Sequence, residues 1–128
     1  ELGPVHPDVA AILTNMAGLH SYLKEHDRAE LLLKRAVAIY EEDQGADLAA
    51  AAQPFNDLAY LYLEQGKFTL AEPLYLHALS IYKQLSGPYD PMAANIMFNL
   101  AYLYSQTDRP DEAKQMEEEA QTLQGEEQ

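Results

Sequence analysis

The feature that most constrains this chain is an internal repeat with a period of 42 residues. Residues 58–62 (Leu-Ala-Tyr-Leu-Tyr) match residues 16–20 and 100–104 when the chain is shifted by 42 positions in either direction. The same register aligns the alanines of the three copies: Ala29, Ala71 and Ala113, then Ala36, Ala78 and Ala120. Three copies without an insertion indicate a repeat protein, in which each unit buries its apolar face against its neighbours.

Each copy has the pattern of two amphipathic helices joined by a short turn. In the middle copy, apolar residues recur three and four positions apart on both sides of a break at Gly66. Small residues such as Ala59 stand among large ones, and two helices approach closely where one offers a small side chain to the other. The sequence therefore predicts an all-α fold of six helices, with Ala59 facing the second helix of its pair.

These residues resemble the tetratricopeptide repeat (TPR) family. The longer period is similar to the 42-residue variety of kinesin light chains and nephrocystin-3-like proteins, as are residues 3–9 (Gly-Pro-Val-His-Pro-Asp-Val) and 71–75 (Ala-Glu-Pro-Leu-Tyr). HEAT and armadillo repeats have comparable lengths and are the structural competitor, but they do not predict this register of small and aromatic residues. The resemblance implies a right-handed superhelix, or α-solenoid, of three helix-turn-helix repeats.

Length and composition are those of one domain. We expect a single TPR domain over 1–128, with repeats at about 3–44, 45–86 and 87–124 and a polar tail at 125–128; its abrupt start at a repeat boundary suggests a piece of a longer protein. The net charge of -13 argues against nucleic acid or an anionic membrane as partner. There is no cysteine, and no apolar run approaches the roughly 18 residues of a membrane span. The default expectation is a soluble protein of the cytoplasm.

Local signals predict where the helices begin. A proline at the first position has no N–H to leave unpaired, an aspartate suits the positive helix end, and Asp or Thr followed three residues later by Glu forms a capping box. The predicted starts are 6–8 and 90–91, the capping boxes Asp27 with Glu30 and Thr69 with Glu72, and a cap at Asp47. The last of the three turns is predicted at 107–110.

Two prolines stand inside predicted helices. Pro54 cannot donate a hydrogen bond to the carbonyl of Ala50, so a kink or a restart is predicted there. The alanine-rich stretch 48–52 would then be a loosely attached extra turn. Pro73 lies early in the fourth helix, where it allows a bend.

The two ends of the array differ in polarity. Glu117 stands where Leu33 and Tyr75 stand in the other copies, which gives the last helix the polar outer face that a terminal repeat needs to stay soluble. The first helix has no such polarity. We therefore expect it to expose an apolar flank that an upstream repeat could cover.

The residue types that carry catalysis or bind metals are not arranged to do so. The four histidines (His6, His20, His26 and His77) include no pair three or four apart on one helix. Gly66-Lys67 lacks the glycine five residues ahead that a phosphate loop requires, and the acidic cluster 117–119 reads as a solvated face. No enzyme activity, metal or cofactor is predicted.

The TPR resemblance implies a binding surface instead. It places the first helix of each pair on a concave wall, where asparagines can hydrogen-bond an extended peptide and tyrosines offer flat contact area. Tyr60 and Tyr102 could equally fill space between helices. The predicted partner-binding residues are Thr14, Asn15, Tyr22, Gln53, Asn56, Asp57, Tyr60, Glu64, Asn95, Phe98, Asn99, Tyr102 and Gln106; Gly18 and Ser21 lie on the same wall.

The charge of this wall narrows the class of partner. Some TPR domains hold a C-terminal carboxylate with lysines, an arginine and asparagines, but the matching positions here are Thr14, Gly18, Asp57, Asn95 and Asn99. None of these five positions carries a positive charge. Chaperone C-terminal tails and the acidic cargo motifs that kinesin light chains recognise are therefore both disfavoured as partners. The predicted function is a protein-interaction module that holds a neutral or basic peptide, or a helix, with apolar anchors. Self-association as a homo-oligomer and a spacer role in a longer array remain the alternatives.

Overall fold

The computed structural model describes residues 6–42, 48–87 and 90–126. Within these ranges the chain forms six α-helices and no strand. They are α1 (Pro7–Tyr22), α2 (His26–Glu42), α3 (Leu48–Glu64), α4 (Phe68–Ser86), α5 (Pro91–Gln106) and α6 (Pro110–Glu126). The all-α prediction and the number of helices are therefore confirmed.

The predicted starts of α1 and α5 are confirmed at the level of hydrogen bonds. His6 caps α1 by accepting the backbone N–H of Asp8 on its Nδ1 at 3.0 Å. Asp90 caps α5 in the same way, with Met92 N–H donating to its carboxylate at 2.7 Å. Both helices have proline at the first position, where its missing N–H costs nothing. The predicted cap Asp47 and the repeat boundaries at 44–45 lie outside the described residues.

Both capping-box predictions are wrong. Asp27 is already inside α2, and the Glu30 carboxylate accepts from Lys34 Nζ at 2.9 Å and from the Tyr62 hydroxyl at 3.4 Å. Thr69 is likewise inside α4, whose cap residue Lys67 makes no side-chain capping bond. The carboxylates of Glu30 and Glu72 therefore have side-chain partners, Lys34 and Tyr62 for Glu30 and Arg109 for Glu72, instead of the backbone N–H groups of a capping box.

That turn has one geometry in all three pairs. Lys24, Gly66 and Asp108 stand 42 residues apart and all adopt the left-handed conformation, with φ of 64°, 75° and 59°. In each case the next residue donates its N–H to the carbonyl five residues back: Glu25 to His20 at 2.8 Å, Lys67 to Tyr62 at 2.9 Å and Arg109 to Tyr104 at 3.0 Å. This is the Schellman ending of a helix. Only one copy has the glycine that adopts it without strain, so tertiary context imposes the turn on lysine and aspartate.

Pro54 lies within one continuous helix, so the predicted restart is wrong, whereas the predicted kink stays a prediction. α3 runs from Leu48 to Glu64, and Pro54 is among its most buried residues. Ala51 and Ala52 are also buried, at 7% and 0% exposed. The turn before Pro54 is therefore part of the core and is not loosely attached. Burial of its apolar surface offsets the cost of the hydrogen bond that proline cannot donate.

The helices pack in pairs, and the pairs stack. Each odd-numbered helix packs chiefly against the helix that follows it, while α2 packs on α3 and α4 on α5. α3 also contacts α1 and α5, so the odd-numbered helices form one continuous surface, which we call the odd-helix wall. Ala59 and Ala78 are both 0% exposed, and the prediction that Ala59 faces the second helix of its pair stays a prediction.

Arg109, in the turn between α5 and α6, links the third helix pair to the second through ion pairs. Arg109 Nη1 lies 2.7 Å from Glu72 Oε1, and its Nε and Nη2 donate to Glu112 at 2.9 and 2.7 Å. Its guanidinium carbon also stands 4.2 Å from the centre of the Tyr104 ring. The hydrogen bonds from Arg109 lower the pKa of the Glu112 carboxyl. This group therefore fixes the orientation of α6 against α4 and α5.

Candidate functional site: the odd-helix wall

The structure places most of the predicted partner-binding residues where a ligand can reach them. All of them lie on α1, α3 and α5. Asn15, Tyr22, Gln53, Tyr60, Glu64, Asn95, Tyr102 and Gln106 are exposed, whereas Asn56, Asp57, Phe98 and Asn99 are half-buried.

Thr14 differs from the other members of this set. Its side chain is buried, with 9% exposed, and its hydroxyl donates to the Ala10 carbonyl at 2.8 Å. This bond to the preceding turn satisfies the hydroxyl within α1. Thr14 therefore supports the wall from behind rather than presenting a free polar group to a ligand.

The tyrosines fall into two groups by exposure. Tyr22, Tyr60 and Tyr102 are 83%, 49% and 53% exposed, whereas Tyr62 and Tyr104 are nearly covered. Large exposed aromatic side chains are common at protein interfaces, where they supply rigid contact area. Tyr102 also contacts the Phe68 ring edge-on, with ring centres 6.4 Å apart. Tyr60 and Tyr102 thus keep about half of their surface available on the wall.

A cavity of about 410 Å³ opens in the wall between α1 and α3. It arises from two small replacements within the repeat. Gly18 and Leu33 occupy the positions that Tyr60 and Tyr75 fill one repeat later. A Cβ added at Gly18 would meet no atom within 4 Å. Since the missing ring leaves open space, we call this site the Gly18 cavity.

The lining of the Gly18 cavity combines apolar, aromatic and acidic groups. Ala17, Leu33 and Leu61 supply apolar wall, and the other lining residues are Gly18, Ser21, Tyr22, Lys24, His26, Asp57, Tyr60 and Glu64. Sequence reasoning had placed Gly18, Ser21, Tyr22, Asp57, Tyr60 and Glu64 on the wall but did not bring them together. It missed the lining residues that belong to α2, His26 and Leu33. The sequence signals for the cavity were Gly18, where the next copies have tyrosine, and Leu33, where the next copy has Tyr75.

Asp57 is the carboxylate most withdrawn from water in this lining. Burial raises the pKa of the Asp57 carboxyl, and the hydrogen bond from Gln53 Nε2, at 2.8 Å, partly opposes that rise. The ionised group is thus only partly compensated, which favours a positive ligand beside it.

A buried hydroxyl lies behind the wall in the second repeat. Tyr75 is 0% exposed, and within the described part of the chain its hydroxyl has no hydrogen-bond partner. Burial and the nearby Tyr60, Glu64 and Asp57 raise the pKa of the phenol, while Asn99 opposes the rise. The Asn99 amide is therefore close to the hydroxyl, although the pair does not meet hydrogen-bond geometry.

The stacked pairs and their register agree with comparisons to known proteins. The family model of the tetratricopeptide repeat matches residues 1–42 and 50–125. The chain belongs to the tetratricopeptide repeat family. Repeats of this family are generally protein-interaction scaffolds and are typically not enzymes.

Solved TPR structures of the kinesin light chain type share this fold. BtubC (BKLC) from P. vanneervenii is 28% identical with a TM-score of 0.84, and the match covers 94% of this chain and 48% of that one. A kinesin light chain-like protein from Podosopora anserina with nearly identical TPR-like repeats is 21% identical with a TM-score of 0.75, covering 99% and 60%. No curated protein matches. Because the match covers 48% of BtubC, this TPR chain spans about half the length of that protein.

Two further observations concern the described residues of this TPR chain. They include no group of three or more His, Cys, Asp or Glu side chains that could hold a metal ion. No helix among them is both long and apolar enough to cross a bilayer.

Proposed function

We propose that this TPR chain binds a peptide or helix of a partner protein along the odd-helix wall and has no catalytic role. The observation that carries the proposal is the Gly18 cavity, which lies on the same surface as the exposed rings of Tyr60 and Tyr102. A cavity beside rigid aromatic side chains is the combination that anchors a partner's side chains. Asn95 and Asn99 can hydrogen-bond the backbone of the same ligand.

The charges on the wall favour a neutral or basic partner with apolar anchors. Asp57 and Glu64 both line the Gly18 cavity, and Lys24, from the turn after α1, is the cation beside them. The chain as a whole carries a net charge of -13. This field attracts basic segments and repels acidic ones, mainly through the rate of association.

A peptide-library selection on the purified chain tests this function. We expect enrichment of neutral or basic sequences with apolar anchors. We expect a variant with alanine at Tyr60, Asn99 and Tyr102 to lose that enrichment, because it lacks the aromatic and amide contacts. Circular dichroism would show that the variant remains helical.

A matched variant controls for the loss of surface area. It has alanine at Leu31 and Leu76, which are 65% and 42% exposed and lie on α2 and α4. It should bind the selected peptides like the original chain. Enrichment of acidic motifs would contradict the charge argument, and the absence of any enrichment would favour a spacer or an assembly role.

The outer flank of α1 supports self-association as a second candidate function. Ile12, Met16, Leu19 and Leu23 are 54%, 44%, 59% and 55% exposed and follow one another at spacings of four and three. This pattern forms one apolar stripe on a helix. The predicted apolar flank is thus confirmed. In α6 the position of Leu33 is taken by the exposed Glu117, so a stack of α6 on α1 would bury charge. Pairing of α1 with α1 of a second copy avoids that cost.

The molar mass in solution tests this pairing. We expect the mass from sedimentation equilibrium to rise toward twice the monomer value with concentration. Leu19→Glu should keep the chain monomeric by placing a charge in the contact. Leu31→Glu, on exposed α2 surface, should leave the association unchanged. A constant monomer mass at all concentrations would exclude this candidate.

A further inference from the structure

Building on the peptide-binding function proposed above, we infer that the Gly18 cavity receives one arginine side chain of the partner. The inference names both a site and the chemical group that the site takes. It depends on the shape of the cavity, on the distribution of its apolar and charged groups, and on one unpaired nitrogen in its wall.

The Gly18 cavity lies where the first repeat lacks an aromatic ring. Tyr60 occupies in α3 the position of Gly18 in α1, and a Cβ at Gly18 would have open space around it. The cavity of about 410 Å³ is at the small end of the range for ligand sites. A single long side chain of the partner, entering from the odd-helix wall, would fill the space that the ring of Tyr60 occupies in the next repeat.

The lining matches the two parts of an arginine side chain. Ala17, Leu33 and Leu61 offer apolar surface for the methylene stem, and Asp57 and Glu64 offer carboxylates for the charged head. Tyr22 and Tyr60 line the same space. A planar guanidinium stacks on aromatic rings and forms paired hydrogen bonds to carboxylates, whereas an ammonium is a compact, strongly hydrated charge. Arginine therefore fits this lining better than lysine.

Two other lining residues define where the guanidinium must lie. Lys24 is an exposed member of the same lining and repels a cation, so we expect the guanidinium to lie away from Lys24 and beside Asp57. Nδ1 of His26 is buried without a hydrogen-bond partner in the described part of the chain. A guanidinium has five N–H donors, so it can donate to a carboxylate and to a second acceptor at the same time.

Blocked single amino acids are the probes that test the cavity without any partner protein. Nα-acetyl-arginine amide would be titrated into the ¹⁵N-labelled chain and followed by NMR. We expect saturable shifts at Gly18, Ser21 and Tyr60, and weaker effects from the lysine analogue. The citrulline analogue has nearly the same shape without the charge, and we expect it to bind about tenfold more weakly or worse. Equal binding of arginine and citrulline would overturn the inference.

Matched variants test the two features that define the site. Gly18→Tyr installs the residue of the next repeat and should abolish the arginine shifts by filling the cavity, whereas Gly18→Ala should preserve them. Asp57→Asn should weaken arginine binding about tenfold or more. Glu118→Gln removes one exposed charge elsewhere on the surface and should change binding little. Retention of arginine binding in both Gly18→Tyr and Asp57→Asn would show that the cavity is not the site.

The stability of Asp57→Asn separates loss of binding from loss of folding. The pKa of the Asp57 carboxyl is raised in the folded chain above its ordinary value of 3.8. Its stabilising contribution is thus present below that value and is lost as the pH rises through the folded pKa. At neutral pH the ionised group weakens folding, so the asparagine variant should unfold at the same denaturant concentration as the original chain or higher. A variant that unfolds more readily would contradict this account of Asp57.

The two levels of the proposal can fail separately. Selected peptides that bind the wall but carry no arginine, and that still bind Gly18→Tyr, would overturn the arginine site and leave peptide binding intact. Arginine shifts at the cavity without any selected peptide would support the site and overturn the proposed function of the wall.

Discussion

Leu103→Ala is expected to lower the free energy of unfolding by about 2–5 kcal/mol, and Leu61→Ala by a similar amount, whereas Leu19→Ala should cost less than about 1 kcal/mol. All three leucines occupy the same position of the 42-residue repeat. Their exposed fractions are 1% for Leu103, 3% for Leu61 and 59% for Leu19. Because α2 packs on α3 and α4 on α5, we attribute the burial of Leu61 and Leu103 to the preceding pair, whereas no described helix precedes Leu19 and its pair. Identical changes should thus differ in cost because of burial alone.

Urea denaturation at low protein concentration, where the chain is monomeric, measures this difference. Each variant is its own control, since the side chain removed and the repeat position are the same. A large cost at Leu19 would show that a second copy or another part of the chain covers the outer flank of α1. Small costs at Leu61 and Leu103 would contradict the stacking of α2 on α3 and of α4 on α5.

Ala59→Leu is expected to destabilise the chain by about 1–3 kcal/mol through overpacking. Ala59 is 0% exposed, its equivalents Ala17 and Ala101 are also buried, and we predict that Ala59 faces α4. Three additional carbon atoms cannot enter this contact without moving α4 away from α3. The loss would appear as a lower midpoint in the same denaturation measurement.

Ala38→Leu is the matched control for this overpacking. Ala38 is an exposed residue of α2, and leucine is nearly as good a helix former as alanine. The control should therefore lie within about 0.5 kcal/mol of the original chain. Equal effects at the two positions would mean that Ala59 has room beside it and that the helices pack in a different register.

The repeat allowed much of the fold to be predicted because it is a long-range pattern sampled three times. A single alanine or tyrosine predicts little, but Ala17, Ala59 and Ala101 in one register identify the closely packed face. The exposed flank of α1 followed from the same comparison. Local signals did less well. The spacing of Asp27 and Glu30 matched a capping box, yet Glu30 pairs with Lys34 and Tyr62 instead.

From the sequence, the candidate site could be predicted only as a surface and not as a cavity. The resemblance to TPR repeats placed Tyr60, Asp57 and Asn99 on one wall without any knowledge of their surroundings. The depth of the Gly18 cavity depends on Leu33 in α2 and Leu61 in α3, which are brought together only by the stacking of the pairs. The burial that raises the pKa of Asp57 has the same origin.

The sequence by itself determined the period, the helix pairs, the apolar faces and the acidic character of this TPR chain, because those properties are set by residue order and residue type. Tertiary structure decided which apolar faces are covered, how Lys24 and Asp108 adopt a turn suited to glycine, and why Pro54 lies in an unbroken helix. Each of these outcomes depends on burial against a neighbouring helix, and burial is a property of the assembled array.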